Sequence, residues 1–140
     1  MSNISTMARK FGRDYSDVCG RPAMLTDDEI RFFEATVRKV LAATGLKIEI
    51  ETQNHEMLDG KCGSAMGIHW KSTDDEFITI DTEFVHDMYM VEHGDKWYLS
   101  LLYDHETLES VICHELAHMR YRNHTKYHAE LTAQYVQMCS

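Results

Sequence analysis

Two histidines four residues apart, with a glutamate directly after the first, make up His114-Glu115-Leu116-Ala117-His118. On a helix, positions i and i+4 lie one turn apart on the same face. Two imidazoles so placed can grip one metal ion, and Glu115 then stands beside a metal-bound water as its base. Three imidazoles on zinc leave one tetrahedral position for that water, lower its pKa and let the ion polarise a carbonyl. The spacing predicts a zinc-dependent hydrolase, foremost a small endopeptidase, with His114 and His118 as metal ligands and Glu115 as the catalytic base. With nine His and twelve Glu in 140 residues, the five-residue pattern would arise by chance roughly 0.05 times per chain.

His124 follows six residues after His118. It lies just past a helix break expected at Asn123, so the chain can turn back and present it as the third ligand. A continuous helix would carry it too far along the axis. His128 is the rival, and Glu130 a more distant one. His124, His128 and Leu131 share one helix-face spacing, so one of the two histidines can equally be packing. Tyr98, Arg120, Tyr121 and Tyr127 are the candidates to stabilise a developing oxyanion. His55, His69, His86, His93 and His105 are expected at the surface or in local hydrogen bonds.

The elements that must position these residues follow from periodicity. Thr26 caps a helix through DDEIRFFEATVRKVLAATG, with acids in its first turn and Gly45 as its stop. Ile30, Phe33, Val37, Val40 and Leu41 form its apolar stripe. Strands are expected at about 46–52, 64–70 and 77–81. Residues 82–103 can hold a short helix, a hairpin around His93-Gly94-Asp95, or both. Asp104 is expected to cap the motif helix, whose apolar repeat runs Leu108, Val111, Ile112, Leu116, Met119. Thr125 caps a last helix. FITID, at 77–81, is a candidate sheet edge for a peptide to join as an added strand. Residues 1–24 read as a tail or wrapping segment and 25–140 as one domain, which 140 residues allow.

Fourteen Lys and Arg against 23 Asp and Glu give a net charge of −9. That argues against a broad nucleic-acid surface, although Arg120, Arg122 and Lys126 leave a local patch where DNA contact is conceivable. Acids dominate from Asp74 to Glu109, with Lys96 the lone cation, which suits a solvated face or a basic protein partner. Cys19, Cys62, Cys113 and Cys139 make no CxxC pair. The first residues lack an apolar signal core and no run is long enough to span a bilayer. A cytoplasmic protein with reduced thiols and no membrane contact is expected. Cys113 is expected in the packing, not as a ligand.

From His105 onward the chain resembles the minimal zincin metallopeptidases of the SprT-like and WLM (YgjP-like) families. Their pattern is HExxH, a few residues, then Asn-His-Ser/Thr and an aromatic-rich helix; here it reads HELAHMRYRNHTKYHAEL. CGSAMG and FITID resemble the upstream strands, with Asp81 in place of the usual Asn. The resemblance implies an α+β, minimal zincin-like fold, with a three- or four-stranded sheet packed on an N-terminal helix and the motif helix. It implies His114, His118 and His124 as zinc ligands, Glu115 as general base, and a protein or peptide substrate. His128 falls where those proteins often carry an aromatic core residue. The short compact form also resembles stand-alone bacterial or phage proteins of uncertain substrate. Two other readings compete: a catalytically silent zincin scaffold that binds or inhibits a basic partner, and a metal-dependent hydrolase of a non-peptide amide.

Overall fold

The computed structural model describes residues 24–55 and 65–140. The tail expected at 1–24 lies, up to residue 23, outside the described residues. The described chain is α+β, with four α-helices and one three-stranded mixed sheet.

Helix α1 spans Asp27–Thr44. The Thr26 hydroxyl accepts from Glu29 N, and the Glu29 carboxylate reaches back to Thr26 N, a reciprocal capping box. Gly45, at φ 73°, ends the helix in the left-handed conformation that glycine adopts without a Cβ penalty. Phe33 and Val40 are buried from its apolar stripe, with Val37 and Leu41 packed against them. Ile30 departs from that expectation: it is 39% exposed, because Glu29 turns inward at this end to meet His86.

Strands β1 (Glu49–Gln53), β2 (Gly67–Lys71) and β3 (Glu76–Asp81) lie in the order β1-β3-β2. β3 runs parallel to β1 and antiparallel to β2. FITID is therefore the central strand, and the expectation that it forms an edge is corrected. Its run of buried residues fits a strand covered on both faces. Ile78 and Ile80 enter the helix-facing core. On the other face, Phe77 stacks on Trp70, while Thr79 Oγ1 meets Trp70 Nε1 and His55 Nε2 at 2.8 Å each.

The ambiguous region resolves as helix α2 (Thr82–His93) followed by a 3-10 helix (Trp97–Tyr103), with no hairpin at 93–95. Tyr103 anchors that turn, edge-on to Phe84 and donating to Asp87 Oδ2 at 2.5 Å. Trp97, Tyr98, Leu101 and Leu102 stay exposed. Asp104 closes the turn at φ 52° and does not cap the next helix, which corrects the sequence reading. That cap is Thr107.

Helix α3 spans Leu108–Ala117 and α4 spans Lys126–Met138, capped by Thr125. Leu108, Val111, Ile112, Cys113 and Leu116 carry α3 into the core against Phe33, Ile78, Ile80 and Phe84. Each buried side chain of this size contributes about 1.5–3 kcal/mol, so α3 is held firmly beside the sheet. Cys113 is fully buried, in keeping with a packing role. Among the described residues no helix is long and apolar enough to cross a membrane.

Candidate metal centre

The sequence makes α3 a helix with a polar stripe. Thr107 Oγ1 accepts from Ser110 N, and Ser110 Oγ accepts from Thr107 N, so two of the free N–H groups at the start of the helix are satisfied. The apolar residues pull one side inward, which leaves His114 and His118 half-buried on the cleft side.

α3 does not run on to Asn123 as its sequence suggested. From His118 the backbone tightens: His118 N donates to Glu115 O, Met119 N to Leu116 O and Arg120 N to Ala117 O, each at 3.1 Å. These are i→i−3 bonds, the usual tightening of a last turn. The tighter path turns the chain early and swings His124 back over the helix.

The three imidazoles then converge. Nε2 of His114 lies 3.2 Å from Nε2 of His118, and Nε2 of His124 lies 3.1 Å from each of them. Ligand bonds of about 2.0–2.1 Å in a tetrahedral site put neighbouring nitrogens roughly 3.3 Å apart. The triangle has the size that a single small cation needs. His118 Nδ1 must carry a proton, because it donates to Tyr121 O at 2.9 Å. Its Nε2 is left with the lone pair, aimed at the triangle.

A second triplet overlaps the first. Ligand atoms of His114, His118 and His128 also fall within 4.8 Å of one another. The His124 set is the tighter one, and His128 has another commitment: its Nε2 lies 3.0 Å from His114 O. A carbonyl only accepts, so this nitrogen bears hydrogen and has no lone pair for an ion. Glu130, the most distant rival, is exposed on α4.

Burial favours the neutral imidazoles that a metal requires. Burial first, then neighbouring His128, His118 and His124, push the His114 pKa down to about 4. Burial also lowers that of His118, with the Tyr121 carbonyl opposing and His128 and His124 adding to the fall. The opposite sign acts on Glu115. It is 5% exposed, and burial pushes its carboxyl up to about 7. That value lets it both take and return a proton near neutrality.

These groups line a cleft of about 740 Å³ between α3 and β2. Gly67, His69 and Lys71 alternate toward it from β2, and Arg122 is also part of its lining. His69 is fixed by Glu76 at 2.7 Å. Gly67, His69 and Lys71 were not singled out as site residues from sequence, where the period of two in GIHWK was the available signal, and Arg122 was named there only as part of a local basic patch. Of the proposed oxyanion residues, neither Tyr98, Tyr121, Tyr127 nor Arg120 lines the cleft. Tyr121 stacks on Tyr127 and lies under Arg120. His55, expected near the surface or in local bonds, is wholly buried and bonded through both ring nitrogens, to Ala65 O and Thr79 Oγ1.

Comparison with protein-family models, with curated proteins and with solved structures returns no match to this chain.

Proposed function

We propose that this protein is a zinc-dependent endopeptidase with a minimal zincin-like fold, in line with its resemblance to the SprT-like and WLM (YgjP-like) metallopeptidases. The observation that carries the reading is the triangle of Nε2 atoms from His114, His118 and His124, 3.1–3.2 Å on a side, beside buried Glu115. His128 would stay outside the ligand set.

Zinc in this triangle would supply Lewis acidity toward a scissile carbonyl and a water of lowered pKa. The chain supplies the rest. Glu115 would take the proton of the attacking water and hand it to the departing amine, from a buried position beside the triangle that keeps bulk water from competing. Among the described residues β2 is an edge strand on the rim of the cleft, which would let an extended peptide pair along its outer side. Lys71 and Arg122 bring positive charge to the cleft lining, which would favour negative charge developing on a bound carbonyl oxygen. His69, held by Glu76, offers a polar contact to substrate backbone.

The test is Glu115→Gln, assayed on a pool of unfolded proteins at matched zinc content. Loss of cleavage with retained metal is the expected result. Wild-type protein that binds zinc and cleaves nothing in the pool would favour a silent binding scaffold, and cleavage undiminished in the variant would remove Glu115 from the reaction.

A further inference from the structure

Helix α3 leaves one carbonyl in an unusual position. In an unbroken helix, His114 O would accept from His118 N. Here His118 N goes instead to Glu115 O at 3.1 Å, and the last turn tightens. His114 O is thus released from its regular partner at the residue that carries the first imidazole of the triangle. A buried carbonyl without a donor costs about 1–3 kcal/mol.

His128 supplies the missing donor. It sits in the first turn of α4, with its backbone N fixed to Thr125 Oγ1 at 3.3 Å. It is 3% exposed. Its Nε2–H reaches His114 O at 3.0 Å. Its ring lies nearly flat on His118, with centroids 4.0 Å apart and an interplanar angle of 26°. The same ring stands edge-on to His114 at 4.4 Å. One side chain therefore caps the backbone of one imidazole-bearing residue and backs the ring of another. Thr125, which aims it, directly follows His124.

We infer that His128 is a positioning residue for the metal centre: it caps the His114 carbonyl, backs the His118 ring, and so sets the spacing of both imidazoles. The inference rests on the reading that His114, His118 and His124 hold a metal. It makes the tightened turn and the ligand triangle one unit, locked by a contact from the next helix. Partners that orient metal ligands typically change affinity by about 10–100-fold when lost.

The experiment is a cobalt(II) titration of the full chain, following the visible d–d bands and the dissociation constant against a competing chelator. Wild type is compared with His128→Phe, which keeps a flat ring but no donor, His128→Gln, which keeps an N–H donor but no ring, and His124→Ala. Circular dichroism of the metal-free proteins reports folding. The expected result is binding weakened about 10–100-fold with shifted bands in His128→Phe, partial recovery in His128→Gln, and near-complete loss in His124→Ala. Binding unchanged within twofold in both His128 variants overturns the inference while leaving the metal centre standing. Abolished binding in both, with His124→Ala unaffected, makes His128 a ligand and overturns it too. If both His128 variants are unfolded without metal, the residue is general packing and the inference fails. Wild type that binds no cobalt removes the metal reading itself.

Discussion

Gly67 on β2 lies against Glu115 on α3 so closely that a Cβ at residue 67 would stand 2.8 Å from Glu115 Cγ and 3.0 Å from Oε2. Real Cβ atoms essentially never approach as close as the first of these, so the missing side chain at 67 makes room for that of Glu115. Gly67→Ala is expected to rotate Glu115 out of place. Displacement of a catalytic group by about 1 Å costs on the order of 100-fold in kcat, and the overpacking about 1–3 kcal/mol in stability. Zinc content should not change, since no ring of the triangle is touched. Steady-state kinetics with metal analysis checks this; full activity in the variant would contradict the contact.

Glu115→Gln should stabilise the metal-free protein at alkaline pH. The folded-state pKa of Glu115 is raised from 4.5 to about 7. Its favourable contribution is therefore complete below pH 4.5 and lost as pH rises through about 7. At pH 8 the wild type carries a buried carboxylate at a cost on the order of 2–3 kcal/mol, and the amide does not. His114, lowered from 6.5 to about 4, acts in the other direction, losing stability as pH falls across that window. It is common to both proteins and cancels to first order in the comparison. Urea unfolding at pH 8 and pH 4.5 should show a gap at the higher pH that closes at the lower. Equal stability at pH 8 would mean that the carboxylate is better solvated than its burial implies.

Zinc should stabilise the wild type by about 2.7 kcal/mol at 100 times the dissociation constant, and so raise its thermal midpoint with the logarithm of zinc concentration. His124→Ala should remove most of that response, and Glu130→Ala, at an exposed position on α4, none of it. Calorimetry with and without a chelator makes the measurement. An equal zinc response in wild type and His124→Ala would take His124 out of the ligand set.

His55→Ala should be costly although it lies outside the cleft lining. The ring is fully buried and bonded to Ala65 O at 2.6 Å and Thr79 Oγ1 at 2.8 Å. Removing it leaves a cavity and an unpaired carbonyl beside the start of β2; losses of this kind run to about 2–5 kcal/mol. A denaturant midpoint within error of wild type would show that the pocket refills.

What the sequence disclosed was local. Thr26 and Glu29 form the capping box expected of their spacing, Gly45 stops α1, and Thr125 caps α4. The strands fall within three residues of their expected starts and ends. The motif spacing pointed to His124, because the break it needs comes from short-range backbone chemistry. What stayed hidden depends on contacts far along the chain. FITID reads as an edge or a centre equally well until β1 and β2 are both placed beside it. Gly67 has no side chain to announce a contact made 48 positions away. His128 looks like a third ligand by residue type, and only the released His114 carbonyl reveals its other use. The early end of α3 was missed because Met119 continues the apolar period after the backbone has already tightened.

The strand order also dictates how the protein can assemble. Among the described residues, β1 and β2 each pair with β3 and not with each other. A chain emerging from its N-terminus therefore exposes both outer strands without partners until Asp81 has been made. Closing that ladder is a non-local, slow event, and every imidazole of the triangle lies beyond it. The triangle itself is drawn from one short local segment, but the β2 wall that completes the cleft around it is not, so the full cleft should appear in refolding no earlier than the closed sheet.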